Sequence, residues 1–305
     1  MPKVNGPLFS VEAHKQLAKG ITYQRRPGGA SVYGYKKPKV PLTFKQVRQR
    51  WLVRDAVAWW RVLSDADKAL WEAKAKGRRQ SGYSLFMHEN TALGDEVFLY
   101  LPFYEGGGAV LHDLSQYKSH GAITGATWAD GVHWKCLDFN PLIPSYVEIP
   151  ADQTQLNFTA EDFSIITRVN IDDLTSFREL FGRGEVNVSG YRLMVLLTGA
   201  IRFDTYQVPI RQDTISTAGD ITTGAWFTVG VSRVGASVRL YRNGVDVTSV
   251  IGVHVNPTTS PDSGIIGYYL NGAEGEMDGK IEFLRVFGGV ALSEADHLAW
   301  HNALK

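Results

Sequence analysis

Gly279-Lys280-Ile281-Glu282-Phe283-Leu284-Arg285-Val286-Phe287, followed by Ala291-Leu292-Ser293-Glu294-Ala295, is the stretch on which the whole chain hangs. Its first half alternates: Ile281 and Phe283 are expected on one face, Glu282 and Leu284 on the other, the period of a β-strand. Its second half opens a helix. Ser293 is a predicted N-cap, and Asp296, three residues on, is its reciprocal partner in a capping box. A strand this apolar needs partners, and the residues before it must supply the other strands of one sandwich.

From Val97 onward, short β-rich segments alternate with turn residues, the pattern of a two-sheet protein. Val97–Phe103 precedes Glu105-Gly106-Gly107-Gly108, and Asp113-Leu114-Ser115 precedes His120–Trp128. Leu137-Asp138-Phe139, Tyr146–Pro150, Phe163–Val169, Arg192–Leu197 and Ile201–Tyr206 follow. Trp226–Val231 leads to Val238–Val245, where Asn243-Gly244 is a strong hairpin signal because both residue types tolerate positive φ. Gly264–Leu270 comes last before the closing stretch.

In this order the segments resemble a laminin-G-like, concanavalin A-like domain. The resemblance rests on Pro102-Phe103 to Gly108, Asp113-Leu114-Ser115, His120-Gly121, Leu137-Asp138-Phe139 and Trp226, then on Tyr241-x-Asn243-Gly244-Val245 and Gly279-x-Ile281-Glu282 with Ala291-Leu292-Ser293. It implies a mainly β fold: a jelly-roll sandwich over residues 96–305, preceded by a small α-helical and β-hairpin domain over 1–92. Relatives of this kind bind glycans or protein surfaces, and some are glycosidases. A fold alone does not choose among these.

The net charge of +1 hides an asymmetry. Residues 1–90 hold 18 Lys and Arg against 6 Asp and Glu, a net +12, which leaves −11 for the remainder. Two parts of opposite charge face different partners, and the basic one wants an acidic surface or a nucleic acid. Ile21–Arg25 and Ala30–Tyr35 flank Pro27-Gly28-Gly29 and are read as a hairpin. Lys36-Lys37-Pro38-Lys39 is read as a charged linker or arm. Thr43 caps a predicted helix to about Leu63, Ser64 with Asp67 opens a second, and Ser81–Asn90 forms a third. Trp51, Trp59, Trp60 and Trp71 are expected to make one miniature core.

Residues 1–92 are similar to a small module of bacteriophage structural proteins. The likeness is carried by Gly6-Pro7-Leu8-Phe9-Ser10, Ile21–Tyr23, Arg26-Pro27-Gly28-Gly29, Ala56–Ser64, Lys68-Ala69-Leu70-Trp71, Gly77 and Ser81–Phe86. It implies a virion component, in the capsid or tail surface, that docks on other virion proteins through this part and displays the sandwich for subunit bridging or host glycan adhesion. Candidate anchoring residues are Arg25, Arg26, Lys36, Lys37, Lys39, Arg48, Arg54 and Trp60. The implied location is the virion surface after synthesis in host cytoplasm, with many copies or a homo-oligomer in the particle. Leu63-Ser64 to Trp71 is also similar to a region of HMG boxes, so DNA binding through the basic part is an alternative.

The chemistry on offer is thin. Glu276, Asp278 and Glu282 would share one face of an extended strand, and retaining glycosidases need two carboxylates about 5 Å apart. Glu282 is one step too far for the bulged glucanase pattern, so a structural acid is the expected role and no catalytic residue is assigned. A glucanase-type hydrolase is the alternative. Asp113, Asp172 and Asp173 could serve calcium, but their spacing is not that of a dense acidic loop, and no cofactor is expected. His297 and His301 form an i,i+4 pair read as a surface pair. Cys136, the only cysteine, is read as a buried inert thiol. The chain has no apolar run long enough to span a membrane. Alternation places Arg202, Asp204 and Tyr206 on one face, and Arg239 and Tyr241 likewise; these five are the candidate carbohydrate-binding residues, for host surface glycans.

Overall fold

A computed structural model describes residues 16–17, 21–26, 29–34, 44–91, 94–132, 134–269 and 275–303. Its contacts divide the chain into two units, Met1–Val47 and Arg48–Lys305. In the first, β1 (Gln16–Leu17), β2 (Ile21–Arg26) and β3 (Gly29–Gly34) form an antiparallel sheet in that order. The predicted hairpin is there, with register from Arg26↔Gly29 to Ile21↔Gly34. The Pro27-Gly28 turn, the Lys36-Lys37-Pro38-Lys39 arm and the Thr43 cap lie outside the described residues.

Three helices follow: α1 (Phe44–Val62), α2 (Asp65–Ala75) and α3 (Gly82–Asn90). Ser64 and Ser81 cap α2 and α3, each accepting the amide three residues on, Asp67 and Ser84. By contacts, the helices from Arg48 on group with the sandwich in one unit. The single tryptophan core is corrected. Trp60 and Trp71 do pack around Phe86 within the helices, at 5.2 and 5.1 Å between ring centroids. Trp51 instead meets Tyr104 of the sandwich, and Trp59 meets Trp300 near the C-terminus. Helical spacing says that a stripe is buried, not what buries it.

The sandwich is built from β4 (Val97–Leu101), β5 (Val110–Leu111), β6 (Gly121–Thr124), β7 (Thr127–Asp130), β8 (Lys135–Phe139) and β9 (Tyr146–Ile149). It continues through β10 (Phe163–Ile171), β11 (Arg178–Arg183), β12 (Tyr191–Val195), β13 (Ile201–Gln207) and β14 (Ile210–Ser216). Next come β15 (Trp226–Val234), β16 (Ser237–Arg242), β17 (Val245–Asp246), β18 (Thr248–Val250), β19 (Gly264–Ile266) and β20 (Gly279–Gly288), and helix α4 (Glu294–Ala303) ends the described chain. One sheet has the order β17-β16-β15-β10-β20-β8-β7, with β4 also on β20; the other runs β18-β14-β13-β12-β11-β19-β9-β6-β5. The strand pairings are antiparallel, and the inner faces share one apolar core that includes Phe139, Phe163, Phe181, Phe203 and Ile281.

β20 is central, pairing with β10 along its length and with β8 and β4 on its other side. The strict alternation expected here is corrected by a bulge. Arg168 faces Phe283 and Val169 faces Ile281, so Glu282 is an extra residue in the ladder. Beyond it the phase changes: Ile281, Leu284 and Val286 enter the core, while Phe283 and Phe287 face Trp300 of α4. Gly279 sits at φ 131°, where a Cβ would stand 2.2 Å from the Asn170 carbonyl oxygen.

The end of the chain forms as the sequence suggested. Ser293 and Asp296 exchange a capping box: the Ser293 amide donates to Oδ2 of Asp296 at 2.9 Å, and the Asp296 amide to Oγ of Ser293 at 3.3 Å. Asn243 and Gly244 have φ of 52° and 83° and turn the β16–β17 hairpin. The surface reading of His297 is corrected. It is buried, stacked on Tyr241 at 4.0 Å, with Nε2 2.8 Å from Oγ of Ser232. Cys136 is buried, and burial pushes its thiol up to about 12.

Candidate functional site

Pleating sends alternate residues of β11–β14 into the core and out to the opposite face. On that outer face register aligns Gly182 with Arg192, Arg192 with Asp204, and Asp204 with Asp213. The charges of this row are matched. Arg192 donates from Nε and Nη2 to Oε2 of Glu179 at 2.9 and 2.6 Å. Arg202 donates to Asp204 at 2.7 Å, and the Tyr206 hydroxyl donates to the other oxygen of Asp204 at 2.9 Å. Burial works against the charge of Arg192, but the Glu179 carboxylate outweighs it and holds the guanidinium above its ordinary value. Burial raises Asp204, opposed by Arg202, and raises Tyr206, where Asp204 adds to it.

The network ends in a cavity of about 300 Å³ lined by Glu179, Gly182, Arg192, Asp262, Tyr268 and Tyr269, among others. Gly182 makes room for it: a Cβ there would lie 2.5 Å from Oε1 of Glu179. Tyr269 forms one wall. Its ring lies 4.1 Å from the Arg192 guanidinium carbon, and its hydroxyl accepts the Val186 amide at 3.1 Å. Tyr268 leans on Tyr146 at 5.6 Å. Ser263 donates to Glu148 at 2.7 Å. Aromatic walls with a few fixed polar groups suit a hydroxylated ring ligand.

The five candidate residues do not form one site. Arg202, Asp204 and Tyr206 do come together on this face, but Asp204 and Tyr206 are only 2% and 1% exposed. Their polar atoms bind each other, so they brace the row and present no stacking surface. Arg239 and Tyr241 lie on β16 in the other sheet. Tyr241 is covered by His297 of α4, and exposed Arg239 faces Asp246 at 3.7 Å. The alternation of Gly264–Leu270 reads as one strand and does not single out Tyr268 and Tyr269. Gly267, at φ 84°, ends β19 and turns the two tyrosines out as a pair; two adjacent tyrosines after a glycine were the available signal.

The anchoring set is also redistributed. Arg48 donates to the Leu114 carbonyl at 2.7 Å, Arg54 stacks over Tyr104 and Trp134 at 4.0 and 3.4 Å, and Trp60 packs on Tyr83 and Phe86. All three pack within the second unit. Arg25 and Arg26 belong to β2, and Lys36, Lys37 and Lys39 lie outside the described residues.

The acids of the closing stretch do not converge. Glu282 is buried, accepts the Trp134 amide at 3.1 Å and lies 3.4 Å from Arg168. Asp278 faces Arg178 at 3.8 Å, and Met277 between Glu276 and Asp278 is in the core. The calcium candidates are engaged too. Asp113 accepts the amides of Tyr100, Ser115 and Ser119, Asp172 faces Lys280 at 3.4 Å, and Asp173 accepts from Arg178 at 2.8 Å. Among the described residues no group of three or more His, Cys, Asp or Glu is placed to hold a metal ion. No described helix is long and apolar enough to cross a membrane.

Two stacked antiparallel sheets around one apolar core define a concanavalin A-like jelly roll. The chain belongs to the concanavalin A-like lectin/glucanases superfamily, whose Laminin_G_3 model matches residues 144–296. Similar solved structures include the binding domain of Paraclostridial Mosquitocidal Protein 1, with TM-score 0.54 and 16% identity, covering 69% of this chain and 52% of that one. The receptor binding domain of botulinum neurotoxin D aligns with TM-score 0.53 and 18% identity over 69% of this chain and 53% of that one. The binding domain of botulinum neurotoxin serotype D/C gives 0.53 and 16% over 69% and 53%. The chain thus spans about half the length of these domains, and at such identities the likeness is one of fold. No curated protein matches the chain by sequence.

Proposed function

We propose that this protein is a non-catalytic carbohydrate-binding protein that takes a sugar of a host surface glycan in the cavity beside Tyr268 and Tyr269. The observation that carries this reading is the convergence of two tyrosine rings with Arg192, Glu179, Asp262 and Ser263 around one cavity of about 300 Å³. Tyrosine faces stack on the apolar side of a pyranose, and the polar groups take its hydroxyls. Membership of a superfamily of lectins and glucanases, and folds shared with named binding domains, agree with it.

The setting we propose is the surface of a bacteriophage virion, where many copies supply avidity to individually weak sites. The support is the likeness of residues 1–92 to a phage structural module and the +12 charge of residues 1–90, suited to an acidic capsid or tail surface. A glycan array with the purified chain tests the binding function: hits abolished by Tyr269→Ala are expected, and an array without hits overturns it. Immunogold labelling of assembled particles tests the setting, and label confined to the unassembled fraction overturns that part alone.

A further inference from the structure

The walls of the sheet-face cavity hold two guanidiniums, Arg183 and Arg192, and two carboxylates, Glu179 and Asp262. Three of these four groups are committed. Arg192 and Glu179 are buried and bound to each other, and the rings of Tyr269 and Phe177 lie 4.1 and 5.5 Å from the Arg192 guanidinium carbon. Arg183 is buried too. Its N–H groups go to the Asn157 side chain at 3.0 Å and to the carbonyls of Gln153, Ala151 and Ser260 at 3.1, 2.7 and 3.4 Å. Asp262 is the open member, half-buried in the loop before β19. Its amide donates to Oγ of Ser260, and that hydroxyl donates back to Oδ2 of Asp262, both at 3.0 Å. Ser260 is braced in turn, its amide donating to Asn157 at 3.1 Å.

Among the described residues nothing donates to Oδ1 of Asp262. A carboxylate accepts about four hydrogen bonds, so Asp262 meets a ligand with most of its accepting capacity unused and its geometry already fixed. That suits a pair of adjacent sugar hydroxyls, which donate. It does not suit a sugar acid. A carboxylate on the ring would stand against the Asp262 carboxylate while both guanidiniums are already engaged, and like charges placed together reject a partner. Glu148, which accepts from Ser263 in the cavity wall at 2.7 Å, adds negative charge nearby. An uncharged ring leaves the two-against-two balance of the walls as it is. We propose that Asp262 sets the specificity of this site: it takes adjacent hydroxyls of an uncharged pyranose and rejects acidic sugars, the uronic and sialic acids.

This inference rests on the sugar-binding reading of the cavity, and its test separates the two. Saturation-transfer NMR on the full chain at neutral pH uses two matched pairs of probes. These are the methyl glycosides of glucose and glucuronic acid, and those of galactose and galacturonic acid; within each pair only the C6 group changes, from hydroxyl-bearing carbon to carboxylate. Transfer to the neutral member of at least one pair is expected, about threefold or more above its acidic partner. In Asp262→Asn the neutral signal is expected to drop and the ratio to fall towards one, because the amide keeps the bond from Ser260 but loses the charge and an acceptor. Equal or greater transfer to the acidic glycosides in the native chain overturns this inference and leaves the sugar-binding reading standing. A neutral preference unchanged in Asp262→Asn overturns the role of Asp262. No transfer to any of the four overturns both readings. The native-chain comparison needs no variant, so it decides the matter even where Asp262→Asn fails to fold.

Discussion

The carboxylate of Asp55, midway along α1, accepts the phenolic hydrogen of Tyr100 on β4. The Tyr104 hydroxyl reaches the same carboxylate, and Arg54, one residue earlier, lies over the Tyr104 ring. This contact makes the helices after residue 47 part of the jelly-roll unit. It also buries a carboxylate, and burial raises Asp55 above its ordinary value, opposed by the two tyrosine hydrogen bonds.

Removing that acceptor is expected to be costly. Asp55→Ala leaves the buried Tyr100 hydroxyl unsatisfied and removes a negative charge that favours the buried Arg285. A loss of about 3 kcal/mol is expected, measured by urea unfolding. Asp55→Asn carries the pH signature. A carboxylate raised on folding binds its proton more tightly in the native state, so its contribution is largest below about 3.8 and declines as pH rises through the folded value. The stability of the native chain relative to Asp55→Asn should therefore fall with rising pH across that window. A difference that grows with pH would contradict the assignment.

Two histidines act in the opposite sense. His254, between the hydroxyls of Thr205 and Thr214 at 2.9 and 2.8 Å, is lowered to about 4 by burial, with Arg233 adding to it. Burial also lowers His297 to about 4. Both are neutral in the fold and charged in the unfolded chain below about 6.5. Their stabilisation is complete above that pH and is lost as pH falls towards 4, about 3 kcal/mol for each. Unfolding midpoints between pH 7 and pH 4 should drop steeply in the native chain and less steeply in His297→Gln. Parallel curves would show that α4 does not hold this imidazole neutral.

What could be read beforehand was local. The Ser293–Asp296 cap and the Asn243-Gly244 turn are settled by residues one to three apart, and both stand in the fold. Period-2 alternation groups Arg202, Asp204 and Tyr206, and separately Arg239 and Tyr241, but it says nothing of which sheet a strand joins, and the two groups lie on different sheets. The bulge at Glu282 depends on the partner strand at Arg168 and Val169, more than a hundred residues away. The Tyr268–Tyr269 wall depends on where Gly267 ends a strand. The bulge and the sheet assignment are non-local pairings that no short window contains, whereas the Gly267 turn is local.

The split between sheets gives a sharp contrast in binding. Tyr269→Ala removes a cavity wall and the ring facing Arg192, and at least a tenfold loss in glycan affinity is expected, about 1.4 kcal/mol or more. Arg239→Ala, on the other sheet and exposed, should leave affinity unchanged. Isothermal titration with an array-selected glycan measures both. Equal losses, or a loss only in Arg239→Ala, would move the site to the β16 sheet.

Glu282 carries the remaining choice between binder and hydrolase. Its carboxylate accepts the Trp134 amide and faces Arg168, and both Glu282 and Arg168 are buried beside the bulge. Burial depresses Arg168 and Glu282 offsets it, so the acid is there to compensate a buried cation. Glu282→Gln keeps an acceptor for the amide but removes that compensation, and a destabilisation of about 3 kcal/mol is expected. A glycosidase acid must instead reach the scissile oxygen, and a fully covered carboxylate cannot. Reducing-sugar release from β-glucan should thus be absent in the native chain and in the variant alike. Release by the native chain that disappears in Glu282→Gln, without loss of fold, would make it a catalytic acid after all.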